Sequence, residues 1–206
     1  MKLTTPALAL LAVILPATAA CATDFRSKSV GQALADSNCT WCHGPSLQGF
    51  TTAPRLAGQR AEYVENQLSS FKAHSRDNPL SKQVMWGAAG EISPQAFHEL
   101  AVYFSALEPE PANDGNRNAT EAGRSIYREG IAQANIPSCA ICHGPDAQGT
   151  GAIPRLGGLS YLYMKRKLEQ WNEGYHASAL APMPAISRSL SEAEIEAISS
   201  YLSFAR

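Results

Sequence analysis

Cys39-Thr40-Trp41-Cys42-His43 returns as Cys139-Ala140-Ile141-Cys142-His143, 100 residues further along the chain. Cys-x-x-Cys-His is the attachment signature of a covalently bound, c-type haem. The two thiols reach the two vinyl groups of one porphyrin, and the histidine beside the second thiol lies under the iron as an axial ligand. Two copies therefore predict two covalently bound haems c, one on Cys39 and Cys42 with His43 at the metal, the other on Cys139 and Cys142 with His143. The same thiol spacing also serves thioredoxin-like redox motifs, zinc sites and disulfide frameworks. A redox motif follows a strand at the start of a helix, and no strand-like run precedes either copy. Zinc requires four ligands in one unit, whereas each copy offers two thiols and scattered histidines.

The remaining cysteine, Cys21, closes a leader. Met1-Lys2, an apolar run from Ala7 to Leu15 and Pro16-Ala17-Thr18-Ala19-Ala20 describe a secretory signal peptide over residues 1–22. The run is short for a bilayer span. Export fits the haem reading and predicts a periplasmic protein, because covalent haem attachment in bacteria takes place outside the cytoplasm. Lipid attachment at Cys21 is disfavoured by Thr18 at the position where leucine is usual, and peripheral association with a membrane partner stays open. With 17 Lys+Arg against 18 Asp+Glu the net charge is −1, so no basic surplus points to nucleic acid.

The 100-residue shift aligns much more than cysteines. Gly44-Pro45 meets Gly144-Pro145, Gln48-Gly49 meets Gln148-Gly149, and Pro54-Arg55-Leu56 meets Pro154-Arg155-Leu156. Gly58 meets Gly158, Tyr63 meets Tyr163, and Val64, Leu68 and Phe71 meet Met164, Leu168 and Trp171. A two-residue deletion in the second copy then aligns Met85 with Met183 and Ser93 with Ser191. The chain thus reads as an internal duplication, with an N-terminal unit over 24–107 and a C-terminal unit over 120–206. Between them, residues 108–119 form a Pro- and Gly-containing linker expected to run extended over the surface.

Both units read as all-α. Val64/Leu68/Phe71 and Met164/Leu168/Trp171 mark one apolar helix face each. The last helix of the first unit starts at Ser93-Pro94, an N-cap with proline at the first helical position. Its counterpart starts with the capping box Ser191-Glu192-Ala193-Glu194, followed by Ile195, Ile198, Tyr201 and Leu202 on one face. An opening helix in the second unit carries Gly123 and Tyr127 four apart, so a partner helix can approach closely over the glycine.

The sixth position on each iron decides function. Met164 falls on an apolar face and reads as packing. Met85 and Met183 align, each eight residues before a helix-capping serine, and are expected as axial thioether ligands. His/Met ligation raises the reduction potential. His74 and His176 do not superpose under the shift and read as surface or loop residues, as does His98 on its helix. Trp41, Trp86 and Trp171 are expected to pack around the haems.

These residues carry a resemblance. Cys-His-Gly-Pro, Pro54-Arg55-Leu56-Ala57-Gly58-Gln59, the run from Tyr63 to Lys72 and the Met85–Ser93 segment resemble the dihaem class I cytochromes c, and cytochrome c4 in particular, over essentially the whole chain after the leader. The resemblance implies two tandem class I cytochrome c domains with haems facing each other across the interface, and propionates near it. It also implies that Pro54 and Pro154 offer their carbonyls to the axial histidines. His74 departs from the family pattern, which has glycine there, and Arg76 has no equivalent in the second unit. The function expected is one-electron transfer from a quinol-oxidising complex or a dehydrogenase to a terminal oxidase, without catalysis. The competing readings are a fixed haem subunit of a dehydrogenase or oxidase complex, and a dihaem enzyme of peroxidase or thiosulfate dehydrogenase type. The enzyme readings call for a vacant distal position or a cysteine ligand.

Overall fold

The computed structural model describes Met1 and residues 28–175 and 182–206. The leader after Met1, Cys21 and His176 lie outside the described residues. The N-terminal unit consists of α1 (Val30–Asn38), the single turn α2 (Thr40–His43), α3 (Ala61–Lys72), a π-turn over Ser81–Met85 that runs into α4 (Trp86–Gly90), and α5 (Pro94–Ser105). The C-terminal unit repeats the order with α6 (Thr120–Glu129), α7 (Ala140–His143), α8 (Tyr161–Asn172), α9 (Met183–Arg188) and α10 (Glu192–Phe204). Extended pairing among the described residues is limited to three isolated bridges, Phe50 with Ala53, Ile131 with Ile136 and Thr150 with Ile153. The fold is all-α.

Serine caps set the helix starts. The hydroxyls of Ser29, Ser93 and Ser160 each accept from a backbone N–H three residues on, and Ser191 with Glu194 completes a capping box. The expected apolar faces are the inner ones. Val64, Leu68 and Phe71 of α3 pack with Phe97, Leu100 and Phe104 of α5, while Met164 and Leu168 of α8 pack with Ile195, Ile198 and Leu202 of α10.

In each unit the first helix crosses the last over a glycine. A Cβ on Gly123 would stand 2.1 Å from the Ala197 carbonyl oxygen, and one on Gly31 would stand 2.1 Å from that of Glu99. The Gly31 crossing is missed by the 100-residue shift because spacing to the haem motif differs, eight residues from Gly31 to Cys39 against sixteen from Gly123 to Cys139. The extra chain forms a small loop closed by paired hydrogen bonds between Ile131 and Ile136, at 2.8 and 3.1 Å.

The two units meet along a hydrogen-bonded seam. Arg55, only 3% exposed, donates to the carbonyls of Glu110 and Gly157. Gln59 grips the backbone of Arg155, donating to its carbonyl at 3.0 Å and accepting from its N–H at 2.8 Å. Ser160 donates to the Thr51 carbonyl at 2.7 Å. The connecting stretch runs irregularly from Glu108 to Asn116, with left-handed backbone at Asn113, and its last residues, Arg117–Ala119, close into a 3-10 turn; it is tied to both sides. Gln48 bonds the Glu108 carbonyl and the Glu110 N–H, Ala112 donates to Gly158, and Asn113 donates to Ser203.

A side chain at the glycine crossing has no room to enter without separating the helices. Gly123→Val is expected to cost about 3 kcal/mol, read as a lower thermal midpoint for the C-terminal unit against an unchanged N-terminal one.

Candidate haem centres

The helical turn α2 follows directly from α1 at Cys39, whose carbonyl accepts the His43 N–H at 2.9 Å. Residues three and four apart on a helix are neighbours on one face, so the turn presents Cys39, Cys42 and His43 together. The matching turn α7 presents Cys139, Cys142 and His143, again closed by a 2.9 Å bond from the His143 N–H to the Cys139 carbonyl. All four thiols are free, Cys39 and Cys139 half-buried, Cys42 and Cys142 exposed. Burial pushes Cys39 and Cys139 up to about 11. They lack the depressed pKa of a thioredoxin-type or metal-thiolate cysteine. Among the described residues no three His, Cys, Asp or Glu side chains gather into a metal-holding group. A zinc site would need a fuller donor set than either turn gathers.

After each histidine the chain turns back through a glycine with positive φ, Gly44 at 82° and Gly144 at 81°. Three residues further on, Leu47 and Ala147 adopt φ of 58° and 54°, uncommon for residues with a Cβ. Their carbonyls accept the N–H groups of Leu56 and Ala57, and of Leu156 and Gly157. That staple brings Pro54 and Pro154 beside the histidines. His43 Nδ1 stands 2.7 Å from the Pro54 carbonyl and His143 Nδ1 stands 3.0 Å from that of Pro154.

A carbonyl only accepts, so Nδ1 carries the hydrogen and Nε2 keeps its lone pair. Both rings are 6% exposed, and burial holds their pKa below the usual histidine value against the opposing pull of the proline carbonyls. Neutral, oriented imidazoles with Nε2 available, each beside two unpaired thiols, fit a covalently attached haem.

The distal candidates reach equivalent sequence positions through different local geometry. Met85 ends the π-turn and Met183 begins α9 after Pro182. Each is half-buried against the core of its own unit. Beside Met85, Trp86 stacks on His74 with ring centroids 4.1 Å apart, and its indole donates to the Arg76 carbonyl at 2.8 Å. His74 has φ of 58° where the matching Gly174 has 92°. The position requires left-handed backbone, and the stack on Trp86 compensates the Cβ. His98 lies on the surface, 2.8 Å from Glu65.

Trp41, expected beside a haem, is 89% exposed at the protein surface, with Ile141 in the matching place at 77%. Trp86 and Trp171 do pack on their cores. Tyr127, four residues after Gly123 on the opening helix, is fully buried, and its hydroxyl bonds the Gly144 carbonyl at 2.5 Å and holds the turn after His143.

Two helical units, each offering a thiol pair and a carbonyl-oriented histidine, define a protein with two covalent haem centres. A cytochrome c family model matches residues 29–108 and 120–204. Cytochrome c-552 of Acidithiobacillus ferridurans is 34% identical over 81% of this chain and 73% of its own. The thiosulfate dehydrogenase electron acceptor of Stutzerimonas stutzeri strain A1501 is 33% identical over 79% of this chain and 76% of its own. The solved cytochrome c4 of Acidithiobacillus ferrooxidans superposes with a TM-score of 0.76 at 32% identity, over 82% of this chain and 99% of that one. The chain belongs to the cytochrome c family, as a dihaem member of the cytochrome c4 kind. It carries two covalently bound haems c and works as an electron carrier.

Trp86→Phe keeps the ring but removes the bond to the Arg76 carbonyl. The variant is expected to lose about 1 kcal/mol of stability in the N-terminal unit, measured by denaturant titration.

Proposed function

We propose that Cys39 and Cys42 bind the N-terminal haem and Cys139 and Cys142 the C-terminal one, with His43 and Met85, and His143 and Met183, as the axial pairs. The observation that carries this reading is the bond from each histidine Nδ1 to a proline carbonyl, repeated in both units, which fixes ring plane and tautomer. The haem supplies the electron-accepting iron. The chain holds one imidazole and one thioether per centre in a packed frame, so oxidation and reduction require little rearrangement.

With both distal positions taken, no seat is left for a substrate, and the protein carries electrons without catalysing a reaction of its own. Cleavage of residues 1–22 delivers it to the periplasm, where it takes electrons from a quinol-oxidising complex or a dehydrogenase and yields them to a terminal oxidase. A dehydrogenase donor is favoured by the relative that serves as a thiosulfate dehydrogenase electron acceptor. No helix among the described residues is long and apolar enough to cross a membrane. Trp41 and Ile141, exposed beside the attachment cysteines, offer apolar contact for a weak partner complex of small area.

Purified protein is expected to contain two haems per chain, to show methionine–iron charge-transfer absorption from both, and to titrate in two one-electron steps. Met85→Ala and Met183→Ala should each open one site and lower its potential, by at least about 59 mV, tenfold in the redox equilibrium. An unchanged spectrum disqualifies the methionine replaced. Fast turnover of peroxide or thiosulfate by the unaltered protein would overturn the carrier reading.

A further inference from the structure

Met85 ends a π-turn, a rare form of helix found frequently at functional sites. The turn is pinned at its start by two buried residues, the Ser81 hydroxyl donating to Asn78 Oδ1 and the Lys82 N–H to the Asn78 carbonyl at 3.0 Å. Its last bond runs from the Trp86 N–H to the Ser81 carbonyl. Between these ends Lys82, Gln83 and Val84 are exposed. The helix that follows, α4, gives little support of its own, since two of its five residues are glycine. Beyond the packing of Met85 and Ala89 on the core, the far end of the turn is fixed by Trp86.

Trp86 is gripped by the loop after α3. Its ring stacks on His74, with centroids 4.1 Å and planes 12° apart, and its indole N–H donates to the Arg76 carbonyl at 2.8 Å. Lys82 of the same π-turn places Nζ 5.7 Å from the indole centroid, within cation–π reach. The His74 side is anchored in turn, because its N–H donates at 3.0 Å to the carbonyl of Phe71, a buried core residue.

The second unit has neither half of this arrangement. Gly174 stands in the place of His74 and Pro184 in the place of Trp86, so ring and indole donor are both missing. A Cβ on Gly174 would meet nothing among the described residues within 4 Å, and its φ of 92° is reason enough for glycine. His74 occupies the same left-handed region at 58° without that freedom. An exposed histidine held in backbone that suits glycine is local strain with a compensation, and such strain gathers at functional sites. The stack on Trp86, one residue from Met85, is the compensation.

We propose that His74 and Trp86 form a clasp that positions Met85, keeping its sulfur on the N-terminal iron against small competing ligands. A competitor binds when the thioether swings away, and its apparent affinity scales with the fraction of molecules in that open state. The clasp lowers this fraction at one centre only. At the other, Met183 lies between Pro182 and Pro184, whose rings restrict the backbone instead. His74 and Trp86 are positioning residues, acting through Met85, and this role rests on the reading of Met85 as the distal ligand.

The test uses the full ferric holoprotein with cyanide as the competing ligand, in His74→Gly, His74→Tyr and Trp86→Leu. His74→Gly removes the stack yet suits the backbone, so its denaturation midpoint should stay near that of the parent protein. Cyanide should bind the N-terminal haem of this variant about tenfold more tightly, the worth of an aromatic stack. The C-terminal haem, read in the same sample, should keep its parent affinity. NMR signals of the iron-bound methionine methyls, assigned with Met85→Ala and Met183→Ala, tell the two centres apart. Trp86→Leu should loosen Met85 at least as much, since stack and indole bond both go. His74→Tyr, which restores a flat ring, should recover most of the loss. A merely structural pair would move the denaturation midpoint and leave cyanide binding alone. Parent-like cyanide affinity at the N-terminal haem of His74→Gly, or an equal rise at both haems, sinks the proposal. A Met85→Ala spectrum identical to that of the parent removes the ligand reading and the clasp with it, whereas a changed Met85→Ala spectrum with unmoved cyanide binding in His74→Gly removes the clasp alone. Should Trp86→Leu fail to fold, His74→Gly decides by itself.

Discussion

Each centre depends on a hydrogen atom that cannot move elsewhere. The proline carbonyl beside each histidine accepts and never donates, so Nδ1 is committed and Nε2 is presented in one tautomer and one plane. The surrounding loop exists to hold that carbonyl in place. Gly44 and Gly144 reverse the chain, Leu47 and Ala147 accept an unfavourable backbone conformation, and their carbonyls take two N–H groups each from the segment after the proline. Strain of this kind persists where packing over-determines it, and Leu47 and Ala147 are each 1% exposed.

Around this repeated loop the two units differ. The C-terminal unit carries an added loop after α6 and a fully buried Tyr127 that secures the turn beyond His143. The N-terminal unit carries the Trp86–His74 stack and Arg76, which together connect the Met85 segment to the seam. A duplicated scaffold has thus been furnished with different second layers, and differing second layers give different potentials to the same ligands.

Much of this was legible in the residues. The covalent haem motif, the Ser93 and Ser191 helix starts and the inner faces of α3, α8 and α10 followed from spacing alone, because each reflects local chemistry or helical periodicity. Arg76 was visible only as a residue without a counterpart, since the partners that give it meaning, Tyr63 and Tyr163, lie far apart in the chain. The Gly31 crossing was hidden by unequal spacing between the copies. Trp41 lies at the surface of its helical turn and not in the protein core, beside the thiols that would carry the haem. His74 looked anomalous until the backbone showed that its site demands left-handed φ.

The stretch from Glu108 to Asn116 is bonded at nearly every step, to Gln48 on one side and to Gly158, Ser203 and Ser200 on the other. It acts as a strut cast into the joint rather than as a leash. The relation of the two units is consequently settled when the chain folds, because the bonds on both sides of the strut resist any swing of one half against the other. Any adjustment of traffic through the molecule has to come from charge placed near a centre, by a partner or by a residue, and not from a change of distance.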